Sequence, residues 1–174
     1  MTPKIGVFPG SFDPFTKGHE AVVNKALGIF DTIIIGIGVN SQKKYLFDLP
    51  KRITHIESLF EGNKHIQVQE FNALTVDFCK EVGAEFIVRG LRNSQDFEFE
   101  KSIAHMNFDL AEIETVFFLT EQKYSAISSS IVREIHKNMG PIDGFVTKSL
   151  HQKPTLTRSE ERRVGFGVMQ RNLH

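Results

Sequence analysis

Thr32-Ile33-Ile34-Ile35-Gly36-Ile37-Gly38-Val39 is short, β-branched and nearly all apolar. A run of that kind is a strand buried on both faces, as in a parallel sheet. The α/β assignment grows from it. Upstream, Ile5 to Phe8 is a second short apolar run, closed by Pro9-Gly10, and reads as a strand followed by a loop over residues 9–18. Between the two strands, Ala21, Val22, Val23, Ala26, Leu27, Ile29 and Phe30 recur at helical spacing, predicting a helix from His19 to Phe30. Parallel neighbours need such a crossover.

The same alternation continues downstream. Asp48 is a candidate N-cap with Pro50 just inside a helix whose apolar face is Ile53, Ile56, Leu59 and Phe60. His65 to Phe71 reads as a strand, and Leu74 to Val82 as a helix stopped by Gly83. Phe86 to Val88 is a short strand running into Arg89-Gly90, followed by a charged helix from Gln95 to Leu110. Thr115 to Leu119 is a strand, Ser128 to Met139 a helix ended by Gly140-Pro141, and Ile142 to Leu150 a last short helix. These elements predict an α/β fold, doubly wound, with a five-stranded, mostly parallel sheet and helices on both faces. Ligands then bind at the carboxyl ends of the strands, which singles out loops 9–18, 40–47, 72–75, 89–94 and 120–128.

Composition narrows the function. The 174 residues fit one domain. Lys plus Arg and Asp plus Glu both number 21, so no surplus of cations serves nucleic acid or an anionic membrane. No segment approaches the roughly 18 apolar residues of a membrane span. The N-terminus does not resemble a signal peptide. Cys79 is the lone cysteine, which excludes an internal disulfide and a Cys-rich zinc site and points to a reducing compartment, most simply the cytoplasm. Cys79 reads as core, and the 16 Phe read as packing. From His151 onward five Lys/Arg face two Asp/Glu, a net of +3, against −3 for residues 1–150. The expected boundary is therefore a domain over 1–153 and an appended or weakly packed extension over 154–174, with a basic interaction arm as the alternative.

Four loops carry chemistry. Gly10-Ser11-Phe12-Asp13-Pro14-Phe15-Thr16-Lys17-Gly18-His19 follows the first strand and opens the first helix, where N–H groups and the helix dipole favour phosphate. Ser11 and Thr16 add hydroxyls, His19 an imidazole, and Gly18 a close approach to backbone. Lys43-Lys44 sits after the second strand, where it is either a solvated pair or a point charge for phosphate. Arg89-Gly90-Leu91-Arg92 suits bidentate grip of phosphate oxygens, unless the two arginines are spent on Asp96, Glu98 and Glu100. Ile127-Ser128-Ser129-Ser130 opens a helix with three hydroxyls, one of which is explained by capping, and Tyr124 before it could stack on a base. By contrast, Gly36-Ile37-Gly38 lacks the third glycine of a dinucleotide fingerprint, since Ser41 stands there, and its glycines read as packing glycines. No GxxxxGK[ST] occurs. His55, His65 and His136 show no metal-ligand spacing, and His105 and Met106 read as packing or interface residues.

Together these stretches resemble the nucleotidyltransferase superfamily, marked by (H/T)xGH after the first strand and ISSSxxR/K at the last helix. Within it the chain is similar to the phosphopantetheine adenylyltransferases. The likeness rests on Phe8 to Pro14, Thr16-Lys17-Gly18-His19, Arg89-Gly90-Leu91-Arg92, Asp96 to Glu100, Ala104-His105-Met106-Asn107 and Ile127 to Ser130, and spans about residues 4–150. Ser11 stands where many members have Thr, keeping the hydroxyl, and Phe99 where some have Tyr, losing one.

The resemblance implies a Rossmann-like fold and a reaction of ATP with 4′-phosphopantetheine, giving dephospho-coenzyme A and pyrophosphate, with Mg²⁺ brought by the ATP phosphates. It implies catalytic roles for His19, Ser11, Lys43 and Arg92. ATP would lie among Ser11, Phe12, His19, Gly90, Leu91, Arg92, Glu100, Tyr124, Ser125, Ala126, Ile127, Ser128, Ser129 and Ser130. Phosphopantetheine would lie among Ser11, Lys43, Leu74, Thr75 and Arg89. It further implies a homohexamer inhibited by coenzyme A. The rivals are a cytidylyltransferase for an alcohol phosphate or a nicotinate mononucleotide adenylyltransferase, opposed by the Phe8–Pro14 and Arg89–Arg92 stretches, and a non-catalytic nucleotide-binding module.

Overall fold

The computed structural model describes residues 1–148 and Leu150. The expected extension, residues 154–174, lies outside the described residues. Five strands form one sheet: β1 (Ile5–Gly10), β2 (Thr32–Gly38), β3 (Ile66–Phe71), β4 (Phe86–Leu91) and β5 (Glu114–Leu119). Their order is β3-β2-β1-β4-β5, and every pairing is parallel. The helices are α1 (Lys17–Ala26), α2 (Leu49–Leu59), α3 (Thr75–Val82), α4 (Ser94–Ala111) and α5 (Ser129–Lys137).

Alternation along β1 and β2 sends side chains to two cores. Phe8, Ile33, Ile35 and Ile37 pack with Val22 and Val23 of α1 and Ile56 of α2. Val7 and Ile34 pack on the other face with Val76, Phe78 and Cys79 of α3. Helices thus cover both faces, as predicted. Gly36 is a packing glycine: a Cβ there would lie 2.9 Å from Phe78 and 3.1 Å from Phe71, whose rings stack at 4.5 Å. Among the described residues no helix is long and apolar enough to cross a membrane.

Three expectations are corrected. First, β1 does not stop at Phe8, because Pro9 and Gly10 pair with Gly36 and Ile37. On its other side β1 pairs with β4 only through Gly6 and Val7. Proline, which has no N–H to donate, is tolerated where one edge of a strand is unpaired. Second, β4 runs on through Arg89, Gly90 and Leu91, which pair with Phe117, Phe118 and Leu119. Third, residues 142–148 form turns and bends rather than a helix. Their carbonyls are used elsewhere: that of Phe145 accepts from the Lys17 N–H, and those of Thr147 and Lys148 accept from His55. The expected face of α2, Ile53, Ile56, Leu59 and Phe60, does pack on the first core, and the helix also buries Arg52 and His55. Asp48 does cap it, accepting from the Lys51 N–H at 2.9 Å.

Candidate functional site

The strand order turns between β1 and β4, and there the sheet splits. Beyond Val7 and Ile87 the two strands no longer pair, although both continue. Arg89 crosses the gap, donating from Nη1 to the Pro9 carbonyl at 2.8 Å. Two clefts open above this split. The first, about 390 Å³, is polar, and the second, about 420 Å³, is more apolar. They share Pro9, Gly10, Ser11, Lys43, Arg89 and Glu100.

The first cleft lies between the start of α1 and the start of α5. Thr16 caps α1, and its hydroxyl accepts from the His19 N–H at 3.4 Å. In return the Thr16 N–H donates to His19 Nδ1 at 2.9 Å. This is a reciprocal capping box with histidine in the place usually held by Glu or Gln. It spends the Thr16 hydroxyl on the helix rather than leaving it open to a ligand. It also makes Nδ1 an acceptor, so Nε2 carries the proton of the neutral ring. Phe8, Phe12 and Phe15 surround the imidazole at centroid distances of 6.1, 5.1 and 5.3 Å. Burial pushes its pKa down to about 3, and the charges of Arg89 and Arg92 act in the same direction. The result is a neutral N–H donor in a cleft that Arg89 and Arg92 also line.

At the opposite wall, Ser128 caps α5, accepting from the Ile131 N–H. The Ser129 hydroxyl donates to the Pro14 carbonyl at 3.0 Å, and the Ser130 hydroxyl accepts from Arg133 at 3.1 Å. The backbone N–H groups of Ser129 and Ser130 have no acceptor among the described residues. Two open donors at a helix N-terminus are the arrangement that receives an anion. Arg133, also bonded to the Asp13 carbonyl, lines this wall. The sequence-based site residues omitted it, although the last position of ISSSxxR marks it.

Arg89 and Glu100 form a bidentate pair at 2.6 and 2.9 Å. Arg92 pairs with Asp96. Burial works against the Asp96 carboxylate, but hydrogen bonds from Arg92 outweigh it and hold its pKa below the ordinary value. The ion pairs weighed as the plain alternative for the two arginines are therefore present, on Glu100 and Asp96, while all four groups still face the cleft. Lys43 donates to the Ser11 hydroxyl at 3.2 Å.

The first cleft gathers Ser11, Phe12, His19, Lys43, Arg89, Gly90, Arg92, Glu100, Ile127, Ser128, Ser129 and Ser130. Thr75 lines the second cleft. Leu74, Leu91, Tyr124, Ser125 and Ala126 line neither. Leu74 is exposed and Leu91 is buried. His105 and Met106 are exposed on α4 rather than packed within the chain. Cys79 is fully buried, and burial pushes its thiol up to about 11, so it supplies no thiolate.

The cytidylyltransferase-like family model matches residues 7–135. A phosphopantetheine adenylyltransferase of Cytophaga hutchinsonii is 50% identical over 144 residues, covering 82% of this chain and 96% of that protein. One of Flavobacterium psychrophilum is 48% identical over 147 residues, covering 84% and 97%. Among solved structures, a bifunctional NMN adenylyltransferase/ADP ribose pyrophosphatase from Francisella tularensis superposes with a TM-score of 0.65 at 18% identity. That match covers 95% of this chain and 50% of the other, and at that identity it speaks for the fold alone.

Proposed function

We infer the chemistry of the cleft from one premise: the chain belongs to the cytidylyltransferase-like family and, within it, to the phosphopantetheine adenylyltransferases. Its reaction is adenylyl transfer from ATP to 4′-phosphopantetheine, giving dephospho-coenzyme A and pyrophosphate. One observation carries the assignment of sites. A polar cleft and a more apolar cleft meet at Ser11, Lys43 and Arg89. ATP phosphates would fill the first and the pantetheine arm the second, and the acceptor phosphate would meet the α-phosphorus at the junction.

The acceptor phosphate is already an anion, so no general base is needed. It attacks the α-phosphorus in line and pyrophosphate leaves. The protein's part is positioning and stabilisation of developing charge. Nε2–H of His19 would donate to the α-phosphate. Ser11 would touch both substrates, Lys43 and Arg89 would hold the acceptor phosphate, and Arg92 with the N–H groups of Ser129 and Ser130 would hold the leaving phosphates. Glu100 would act through Arg89 rather than on ATP. Leu91, Tyr124, Ser125 and Ala126 flank the first cleft in sequence, and Leu74 adjoins Thr75; they remain candidate contacts at the edges.

Among the described residues no group of three or more His, Cys, Asp or Glu could hold a metal ion. The cleft's donors are cations, hydroxyls and N–H groups, which suit phosphate oxygens. A divalent cation, proposed as Mg²⁺, would therefore arrive on the ATP phosphates and neutralise part of their charge.

Exposed apolar residues on α4, among them Phe99, Met106 and Leu110, support self-association, proposed as a homohexamer. Coenzyme A carries both an adenine nucleotide and a pantetheine arm, so it would occupy both clefts and inhibit. The proposed location is the cytoplasm. Residues 1–153 are proposed as the catalytic domain and 154–174 as an extension outside it, which the 96–97% coverage of the relatives by only 82–84% of this chain supports. Truncation after Lys153 should leave turnover intact.

The test is pyrophosphate release with ATP and Mg²⁺, with and without 4′-phosphopantetheine. Nicotinate mononucleotide and glycerol 3-phosphate serve as control acceptors. Release only with phosphopantetheine supports the assignment. Release with a control acceptor overturns the substrate, and no release while ATP still binds favours a nucleotide-binding module.

A further inference from the structure

Arg52 is 2% exposed and has no carboxylate within ion-pair distance among the described residues. Burying a guanidinium is costly unless its donors are used. Its Nε donates to the Phe47 carbonyl at 3.0 Å, and its Nη1 donates to the Ser11 carbonyl at 2.7 Å. The guanidinium lies 4.1 Å over the Tyr45 ring. One side chain on α2 therefore bridges the loop after β1 to the loop after β2. Asp13 tightens the same junction: its carboxylate, itself buried, accepts from the N–H groups of Leu46 and Phe47, both at 2.8 Å. Each bond joins one loop to the other, and the two loops carry Ser11 and Lys43, whose polar atoms are 3.2 Å apart.

We propose that Arg52 is a positioning residue that sets Lys43 against Ser11, and so aligns the acceptor phosphate without touching it. This rests on the acceptor assignment above. A planar fork is required, because two carbonyls on different loops must be reached from one group. Lysine in that place offers a point charge and cannot hold both in the same geometry. The ATP phosphate anchors proposed on α5 and at Arg92 make no bond to Arg52, and α5 holds the Asp13 and Pro14 carbonyls of the loop independently of it. The larger loss should therefore fall on the acceptor.

The variant is Arg52→Lys. A misplacement of about 1 Å at a reacting group costs on the order of 100-fold. The expected result is a fall in kcat/KM for 4′-phosphopantetheine of about that size, with the Kd for ATP alone within about threefold. The decisive readout is a double-mutant cycle with Lys43→Ala. If Arg52 acts through Lys43, Arg52→Lys should cost less than about threefold once Lys43 is gone. A general loosening of the fold would cost the same in both backgrounds, and that result overturns the proposal. So would unchanged kcat/KM, or an equal loss of ATP affinity. Hydrogen exchange makes the test independent of turnover: amides in residues 10–16 and 40–47 should exchange on the order of tenfold faster while β1 and β2 are unchanged. If the wild-type protein does not use phosphopantetheine, the acceptor assignment fails, and unchanged exchange would still overturn the bridge. Should Arg52→Lys fail to fold around a buried ammonium, Arg52→Gln removes the charge and keeps a planar donor that can reach only one of the two carbonyls. A loss of about tenfold, again absent in Lys43→Ala, supports the proposal, and full activity of Arg52→Gln overturns it.

Discussion

His19→Ala should reduce kcat by about 10²- to 10³-fold, the cost of removing one preorganised donor to a developing oxyanion. The structure sets that size. With Nδ1 accepting from the Thr16 N–H and the ring neutral, a single N–H, on Nε2, is available to the cleft. A neutral donor strengthens as negative charge grows on the phosphate, so its contribution concentrates in the transition state. With ATP bound as proposed, the open N–H groups of α5 and Arg92 remain in the variant, so the Kd for ATP should rise only about two- to fivefold, the worth of one ordinary hydrogen bond. The substitution also leaves the Thr16 N–H unpaired, with a stability loss of about 1 kcal/mol by urea unfolding. The assay is steady-state pyrophosphate release beside calorimetric ATP binding. The sign of the pH effect follows from the lowered pKa. His19 gains a proton only near pH 3 in the free enzyme, so kcat/KM should show no His19 limb between pH 5 and 8. ATP affinity falling as steeply as kcat would refute the transition-state role. An inflection near pH 6.5 that disappears in the variant would refute the neutral ring.

Glu100→Gln takes the charge from the bidentate partner of Arg89, and should raise the KM for phosphopantetheine on the order of tenfold while moving the ATP Kd less. An unchanged acceptor KM would show that Arg89 needs no orientation. Gly36→Ala forces a Cβ to 2.9 Å from a buried ring that is stacked on another, and should destabilise by about 1–3 kcal/mol in urea; a neutral result would mean that Phe71 and Phe78 can give way. His55 is held below its ordinary pKa, first by burial. The unfolded chain then binds more protons than the folded one below about pH 6.5, so stability should be full above that pH and decline as pH falls through and below it. Urea titrations at pH 7.5 and 5.5 should show the decline, and His55→Gln should blunt it.

Much of the scaffold was legible. The run Thr32–Val39 announced a doubly buried strand, and Asp48 and Gly83 announced helix ends, because these signals are local. Pairing was not. Nothing in Ile5–Gly10 says that its contact with β4 ends at Val7, and that ending opens the crevice. Nor did charge at residue 52 announce burial. Periodicity marked Ile53 and Ile56, but the inward face of α2 turns through Arg52 and His55, which find carbonyl acceptors on distant segments. A glycine, two hydroxyls and a strand end beside His19 favour a ligand cradle over the plainer capping role, and a capping box normally carries Glu or Gln at its fourth position. Histidine filled that role and kept a second nitrogen for the cleft.

A chain of zero net charge can still bind a triphosphate, because its cations are stored in two different ways. Arg89 is fixed: Glu100 takes two of its donors and the Pro9 carbonyl a third, and the Glu100 carboxylate is mostly buried. Pulling it away would strand a buried charge, so a phosphate bound as proposed would have to come to Arg89. Among the described residues Arg92 is held by Asp96 alone, four residues on, with both side chains partly open to solvent. Such a pair is worth about 0–1 kcal/mol and would exchange for the denser charge of a nucleotide bound as proposed. The fixed cation lies where the two clefts meet, and the exchangeable one faces the first cleft alone. That division suits a reaction in which the nucleophile must be aligned to a fraction of an ångström while the leaving group must depart.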